Sequence, residues 1–484
     1  MVKGDIDTQD ERIDLLSELI YSSLNKRQLR DAYQQARIGD RIYGYQDIVL
    51  RACCSCLRLY HGDVYSFAGK VWSPLPDIIL ETSLNRALVK SGVPKSDVIT
   101  ARGKLLYSAR GGASLSPLEV SSSLVGFRNG VWDFSDIDHP VYHSFDDRMP
   151  VVSILPYDYD PLAVCPKWLS FLQSILPKTE ILKLQKYLGL GCADRKSMTH
   201  KIEETLWLVG SGANGKSTIF DVVRGVYGAS NMSYMGMNTL LSGSPEVRAR
   251  FIGSIVGKIF NYCSEVQADD ISRYSDTFKA LCSGEPQVVR RLGQNPETAY
   301  DIPFLIFNMN QRPINRKLDQ AMARRLLFIP FKTTVSASDM NRELSAELMQ
   351  ELPGIRNWMV EGLRMLIRDN YQFNTTLVAD EEMTDYMLEN GQSVQVFLGK
   401  NGFSVNRRTG HWDDKVQWVS ASALYEDYVS FCEKWLQDPL SQRQFGGEMT
   451  RLGWHGASGS RKRTSTGYVY GIFCESEISY ALKL

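Results

Sequence analysis

The feature that most constrains this chain is the run Gly210-Ser-Gly-Ala-Asn-Gly-Lys-Ser-Thr218, a complete GxxxxGK[ST] pattern. The apolar segment Leu206-Trp-Leu-Val209 precedes it, and Ile219-Phe-Asp-Val-Val-Arg224 follows it as an apolar helix. Strand, glycine-rich loop and helix are therefore predicted in register. In that context the glycines let backbone N–H groups turn inward around an anion, and the helix N-terminus adds a favourable dipole. The expectation is a nucleotide site built from Gly210, Ser211, Gly212, Ala213, Asn214, Gly215, Lys216, Ser217 and Thr218. Lys216 would reach the β- and γ-phosphates of ATP, and the Ser217 hydroxyl would ligate Mg2+.

Further apolar runs at Thr205–Val209, Ile259–Cys263, Phe304–Phe307 and Leu326–Phe331 alternate with helical stretches, which predicts an α/β layer. Ile259-Phe-Asn-Tyr-Cys-Ser-Glu265 ends in an acid able to stand beside Mg2+ and polarise the attacking water, so Glu265 is a candidate for metal and catalysis. Phe304-Leu-Ile-Phe-Asn-Met309 delivers Asn310, whose amide can orient water or contact a γ-phosphate, with Asn308 as the fallback. Arg324 and Arg325 come directly before the last strand, where a guanidinium could cross a subunit boundary and stabilise a transferred phosphoryl group.

In their order these motifs resemble the superfamily 3 helicases of the AAA+ class, specifically the helicase part of the phage and plasmid primase family related to the poxvirus primase–helicase. The likeness is carried by residues 210–218, Glu265, Leu281-Cys-Ser-Gly-Glu-Pro286, Asn310-Gln-Arg-Pro313, Asp319 and Arg324-Arg325-Leu326. It extends upstream through Phe127-Arg-Asn-Gly-Val-Trp-Asp-Phe134, Pro156-Tyr-Asp-Tyr-Asp-Pro-Leu-Ala163 and Pro166-Lys-Trp-Leu-Ser-Phe-Leu172, covering about 100–475. The resemblance implies Glu265 as the Walker B carboxylate, Asn310 as sensor 1 and Arg325 as the arginine finger, with Arg324 as the alternative. Many relatives carry paired acids where this chain has Ser264-Glu265, and Asp269 and Asp270 stand too far along to substitute.

The family also implies a channel hairpin, here within Ser275–Ala299, with Lys279, Arg290 and Arg291 as its DNA-binding cations. From about 393 the chain reads as helix, helix, helix and hairpin, with Leu424, Tyr428, Phe431 and Trp435 as core anchors and Ser441 as a helix N-cap. This resembles a winged-helix domain. Arg443, Arg451, Arg461, Lys462 and Arg463 stand against Glu448 alone in 439–470, a balance suited to duplex or forked DNA.

The expected fold class is thus α/β, an AAA+ P-loop ATPase core with an α+β N-terminal region and a C-terminal winged-helix domain. The boundaries are a helical segment at 1–55, an α+β domain at 56–166, a helical collar at 167–200, the core at 201–335, a helical segment at 336–390 and the terminal module at 391–484. Helices are predicted at 167–176, 179–192, 339–370 and 379–399, and Asn129-Gly130 predicts a tight hairpin turn.

The activity implied is ATP-dependent unwinding by a ring, most simply a hexamer, that moves on single-stranded and forked DNA during replication of a phage, plasmid or mobile element. The bacterial host cytoplasm is the expected location. Relatives often carry a primase domain. The residues before about 100 hold no polymerase metal constellation, so priming is expected on another chain, a primase or polymerase, or in a longer form of this one. Closely spaced Asp158 and Asp160 fit the proline-rich connection rather than a polymerase site.

Composition sharpens this. Of 484 residues, 55 are Lys or Arg and 55 are Asp or Glu, so a protein that coats nucleic acid with its whole surface is excluded and any DNA contact is local. Nine cysteines scattered through the chain predict a reducing compartment, and their one cluster, Cys53, Cys54 and Cys56, is read as part of a buried apolar segment rather than a zinc site. No apolar run approaches a membrane span. Two other readings share the loop. One is a nucleotide-switched replication initiator or loader that binds DNA without processive unwinding. The other is a small-molecule kinase, which accounts for neither the arginine pair nor the basic terminal module.

Overall fold

The structure, a computed structural model, describes residues 9–35, 41–60, 63–110, 115–121, 123–193, 195, 198–212, 214–241, 243–266, 271–290, 296–313, 315, 318–333, 341, 343–373, 381–404, 416–456 and 459–474. Five parallel strands form its central sheet: β1 (Thr205–Val209), β2 (Met232–Ser233), β3 (Phe260–Val266), β4 (Phe304–Met309) and β5 (Leu326–Pro330). They lie side by side in the order β5-β1-β4-β3-β2. The mixed α/β class is as expected from the alternating pattern.

The inner strands read as unbroken apolar runs because both faces of the sheet are covered. Strand alternation divides them: Leu206, Leu208, Ile306, Leu327 and Ile329 enter one core cluster, while Trp207, Leu305, Phe307, Leu326 and Phe328 enter the other. On the first face lie helices α1 (Pro166–Ile175), α2 (Lys178–Gly189) and α3 (Lys216–Tyr227), the last burying Ile219, Val222, Val223 and Val226. The second face is covered by α4 (Pro245–Ile255) and α5 (Ser275–Cys282), through Ile252, Ile255, Phe278 and Leu281. A long helix, α6 (Leu352–Arg368), packs its Ile355, Met359 and Leu363 into the first cluster. Pro166 opens α1 where its missing N–H costs nothing.

A four-stranded sheet at Leu124–Phe127, Gly130–Asp133, Val141–His143 and Ile154–Leu155 docks on the same cluster through Phe127, Phe134 and Leu155. Its hairpin turns at Arg128-Asn129, one residue earlier than the Asn-Gly signal suggests, because Phe127 pairs with Gly130. Asn129 is recruited to another task. Its amide nitrogen donates to the Tyr159 carbonyl at 3.0 Å, and its oxygen accepts from the Tyr159 N–H at 3.0 Å. The Tyr157-Asp-Tyr-Asp160 segment consequently alternates. Both tyrosines are buried, and Tyr157 donates to the Val226 carbonyl at 2.8 Å. Asp158 faces out to Arg128, and Asp160 accepts the Leu162 N–H.

The N-terminal residues form a separate cluster in which Ile13, Leu16, Val49 and Cys53 share one core with Leu80, Leu84, Ala87 and Leu105. The division expected at 55/56 falls inside that core, since helices Gln9–Ser23 and Arg41–Cys56 pack on Asp77–Lys90 and Lys95–Arg110. Burial pushes the Cys56 thiol up to about 12, and its Sγ donates to the Ala52 carbonyl at 3.4 Å.

At the other end, helix Ser393–Lys400, strand Val416–Ser420, helices Ala421–Lys434 and Gln442–Arg451, and strands Arg461–Thr464 and Gly467–Cys474 enclose a core of Phe397, Leu424, Tyr428, Phe445 and Trp454. Ser441 and Gln444 form a capping box that starts the second of the two long helices. Among the described residues, no helix is long and apolar enough to cross a membrane.

Candidate functional site

The site is laid out at the carboxyl ends of β1 and β4. Val209 pairs with Met309 across the strands, the Gly210 N–H donates to the Met309 carbonyl at 3.1 Å, and the Phe331 N–H donates to Val209 at 2.7 Å. Gly210 is thereby pinned between two neighbours. A Cβ on it would stand 2.6 Å from both the Phe331 carbonyl oxygen and the Asn214 amide. Gly210→Ala is therefore expected to cost about 1–3 kcal/mol through overpacking, read as a lowered urea midpoint with an unchanged slope. Gly215 has φ +87°, and a Cβ there would press on Phe171 and Ile175 at 2.9 Å, so α1 backs the loop directly. Ser211 and Gly212 are exposed, and Ala213 lies outside the described residues.

Lys216 opens α3 and is only 5% exposed. Its Nζ donates to the Gly210 carbonyl and, at 3.0 Å, to the Asn214 Oδ1, while the Asn214 amide donates to the Ser211 carbonyl. Burial lowers its pKa below the ordinary lysine range. Among the described residues no carboxylate pairs with it. A desolvated ammonium with neutral partners, at a helix N-terminus, is a site for an anion. The next residue, Ser217, is exposed on the first turn, and Thr218 is half-buried.

Two neighbouring strands contribute candidates at the same edge. Asn310 directly follows β4 and is exposed, one step beyond the Val209–Met309 pair and hence beside Gly210. Asn308, the fallback, sits inside β4 opposite Leu208. On β3 the register shifts between Cys263, paired with Phe307, and Val266, paired with Met309. Ser264 and Glu265 together thus face Asn308 alone, a bulge of the kind that re-aims a strand-end side chain. The backbone of Glu265 belongs to β3. Its side chain, like Asp269 and Asp270, lies outside what the structure describes.

The arginine pair stands elsewhere. Arg325 precedes β5, and its carbonyl accepts the Thr205 N–H at 2.8 Å, which puts it at the start of β1. The five residues of β1 separate it from Gly210 by roughly 17 Å. Arg325 is 5% exposed and braced by Glu203 at 2.5 Å, Ser283 at 3.0 Å and the Ala321 carbonyl at 2.5 Å. The side chain expected to project is therefore a buried brace, because a carboxylate 122 residues away in sequence captures it. Arg324 meets the other Glu203 oxygen at 2.7 Å with its side chain 53% exposed. Burial would raise the Glu203 pKa, but Ser283, Arg325 and Arg324 outweigh it and hold the carboxyl below its ordinary value. Nothing in the sequence marks Glu203 beyond an acid shortly before a strand.

The hairpin expected within 275–299 is formed by Gln287–Val289 and Glu297–Ala299. Arg290 leaves the first strand and is exposed; Arg291 lies outside the described residues. Lys279 belongs to α5 instead and is paired with Asp319 at 2.8 Å, which removes it from the free cations of the hairpin. In the terminal module Arg443 and Arg463 are exposed. Lys462 lies 4.0 Å over the Trp418 ring, and Arg461 lies 4.8 Å over Tyr468 with an Nη donating to Thr450.

Residues 106–177 match a family described as D5 N terminal like. Residues 208–325, from β1 through the arginine pair, match a family described as a family of unknown function, DUF5906. Among solved structures, the apo structure of the NrS-1 C terminal region (305-718) shares 10% identity over 72% of this chain and 95% of that one, with a TM-score of 0.34. An A form apo structure of the same region shares 11% identity over 68% and 81%, with a TM-score of 0.33. No curated protein matches the chain.

Proposed function

We propose that the chain is a Mg2+- and ATP-dependent DNA helicase that works as a ring, a hexamer by family resemblance, on single-stranded and forked DNA. The observation that carries this reading is the convergence of Lys216, Ser217, Asn310 and the Ser264-Glu265 bulge on the adjacent carboxyl ends of β1, β4 and β3. In the order β5-β1-β4-β3-β2 the chain leaves β1 toward one edge and leaves β4 toward the other, and open α/β sheets bind ligands in the crevice at such a switch. ATP would supply the phosphoanhydride whose cleavage drives movement. Lys216 would release Gly210 and Asn214 to hold phosphate, Ser217 and Glu265 would hold Mg2+, and Asn310 would orient water.

Arg324, rather than Arg325, suits the finger. It is exposed, and on the far edge of the sheet it cannot serve its own loop, so it would act on a neighbour's. The match of residues 106–177 to the D5 N terminal like family supports the reading, since it falls on the upstream segment that shares the resemblance. We assign the ATPase core to 201–335 and a winged-helix role to 391–484, supported by the helix, strand, strand, helix, helix, strand, strand order there. Arg290 is the channel cation, and Arg443, Arg461, Lys462 and Arg463 the duplex-facing ones.

The test is strand displacement on a forked duplex. Sustained ATP-dependent unwinding is expected; DNA binding without it would turn the assignment to an initiator or loader. Arg463→Ala and Arg443→Ala are each expected to lower the salt slope of duplex binding by about one, uniformly across sequences, measured by fluorescence anisotropy.

A further inference from the structure

A cavity of about 390 Å3 opens at the end of the sheet opposite the Gly210 loop, where β3 and β4 begin. It lies between the 124–155 sheet and the α/β core, lined among others by Ser153, Lys258, Asp301 and Arg356. Its charge is one-sided: Arg195, Lys258 and Arg356 line it beside Lys201, which is paired with Glu285 at 3.1 Å, and Asp301 is the one carboxylate among the described lining residues. Arg195 donates to the carbonyls of Ile202 at 3.0 Å, Ile302 at 3.2 Å and Pro303 at 3.3 Å, and to Cys282. Lys258 donates to the Ser230 carbonyl at 2.6 Å. Both cations thus hold neutral acceptors that leave their charge uncompensated.

Arg356 is the extreme case. It is 1% exposed, stands 5.2 Å from the Phe134 ring and 5.3 Å from the Tyr227 ring, and among the described residues has no acceptor on Nε or Nη2. Those two nitrogens share one edge of the guanidinium plane, the fork that receives two oxygens of a phosphate at once. A buried, unpaired charge is strongly unfavourable, and ring faces satisfy none of its N–H groups. The Gly210 loop, at the other end of the sheet, makes no use of it.

We propose that this cavity binds a small phosphate-bearing ligand, with the phosphate on the Nε–Nη2 edge of Arg356 and the charges of Lys258 and Arg195 around it. The volume exceeds what a bare phosphate needs, so the group would carry a substituent. Binding here is independent of the helicase reading.

The experiment is thermal unfolding of the full chain carrying Lys216→Ala, which disables the Gly210 loop, titrated with inorganic phosphate or with a nucleoside monophosphate. Sodium chloride at matched ionic strength is the control. Either phosphate source is expected to raise Tm by about 2 °C or more at a hundredfold excess over its Kd. A response to the monophosphate alone would assign the substituent. Arg356→Met should abolish the response, and Lys258→Ala, at a partly exposed position, should weaken affinity roughly tenfold without unfolding the chain. No shift beyond chloride, or equal affinity in Lys258→Ala and the parent, would overturn the proposal even if Arg356→Met fails to fold.

Discussion

Lys216→Ala is expected to lower ATPase turnover by about a hundred- to a thousandfold, the usual loss when one preorganised donor to a transferring group is removed. The size follows from the surroundings. Lys216 is the cation of the Gly210–Thr218 loop, already desolvated, and it needs to exchange only the Gly210 and Asn214 oxygens for phosphate oxygens. The α3 N-terminus remains in the variant, but a helix dipole contributes only about 0.3–1 kcal/mol. It cannot replace the ammonium. A coupled ATPase assay and binding of a fluorescent nucleotide check this, with circular dichroism to establish folding. Lys216→Met, which keeps the stem packed, should lose as much. Turnover within about threefold of the parent would remove nucleotide chemistry from this loop.

The second large effect separates two adjacent arginines. Glu203→Gln should destabilise the chain by about 3 kcal/mol, because it leaves the buried Arg325 guanidinium without its carboxylate, and Arg325→Ala by less, about 2 kcal/mol, because Glu203 keeps Arg324 and Ser283. Arg324→Ala should cost under about 1 kcal/mol, since about half of that side chain is in solvent, yet on the proposed ring reading remove ATP turnover. Urea unfolding beside ATPase assays resolves the two. If Arg325→Ala folds like the parent but is inactive while Arg324→Ala turns over normally, the finger is Arg325.

A pH dependence accompanies the pair. Glu203 is held below its ordinary value in the folded chain, so its contribution is complete above the unfolded pKa of about 4.3 and is lost as pH falls through the folded one. Glu203→Gln should lack that part of the acid slope.

What the sequence determined by itself is what depends on neighbours along the chain. The GxxxxGK[ST] run between an apolar strand and an apolar helix is a local grammar, and the loop forms between β1 and α3 as its pattern requires. Alternation sent Leu206 and Trp207 to opposite faces, and Ser441 capped its helix, for equally local reasons. The tertiary structure alone decided the fate of charges. Arg325 became a brace because Glu203 closes on it, Lys279 was claimed by Asp319, and the division expected at 55/56 fell inside one core because helices far apart in the chain share a face. Arg356 reads as an ordinary helix cation until the fold buries it against two rings and leaves its Nε and Nη2 without an acceptor among the described residues. Periodicity tells which face of an element must leave water. Which distant group will meet a charge there depends on packing geometry that no local pattern encodes.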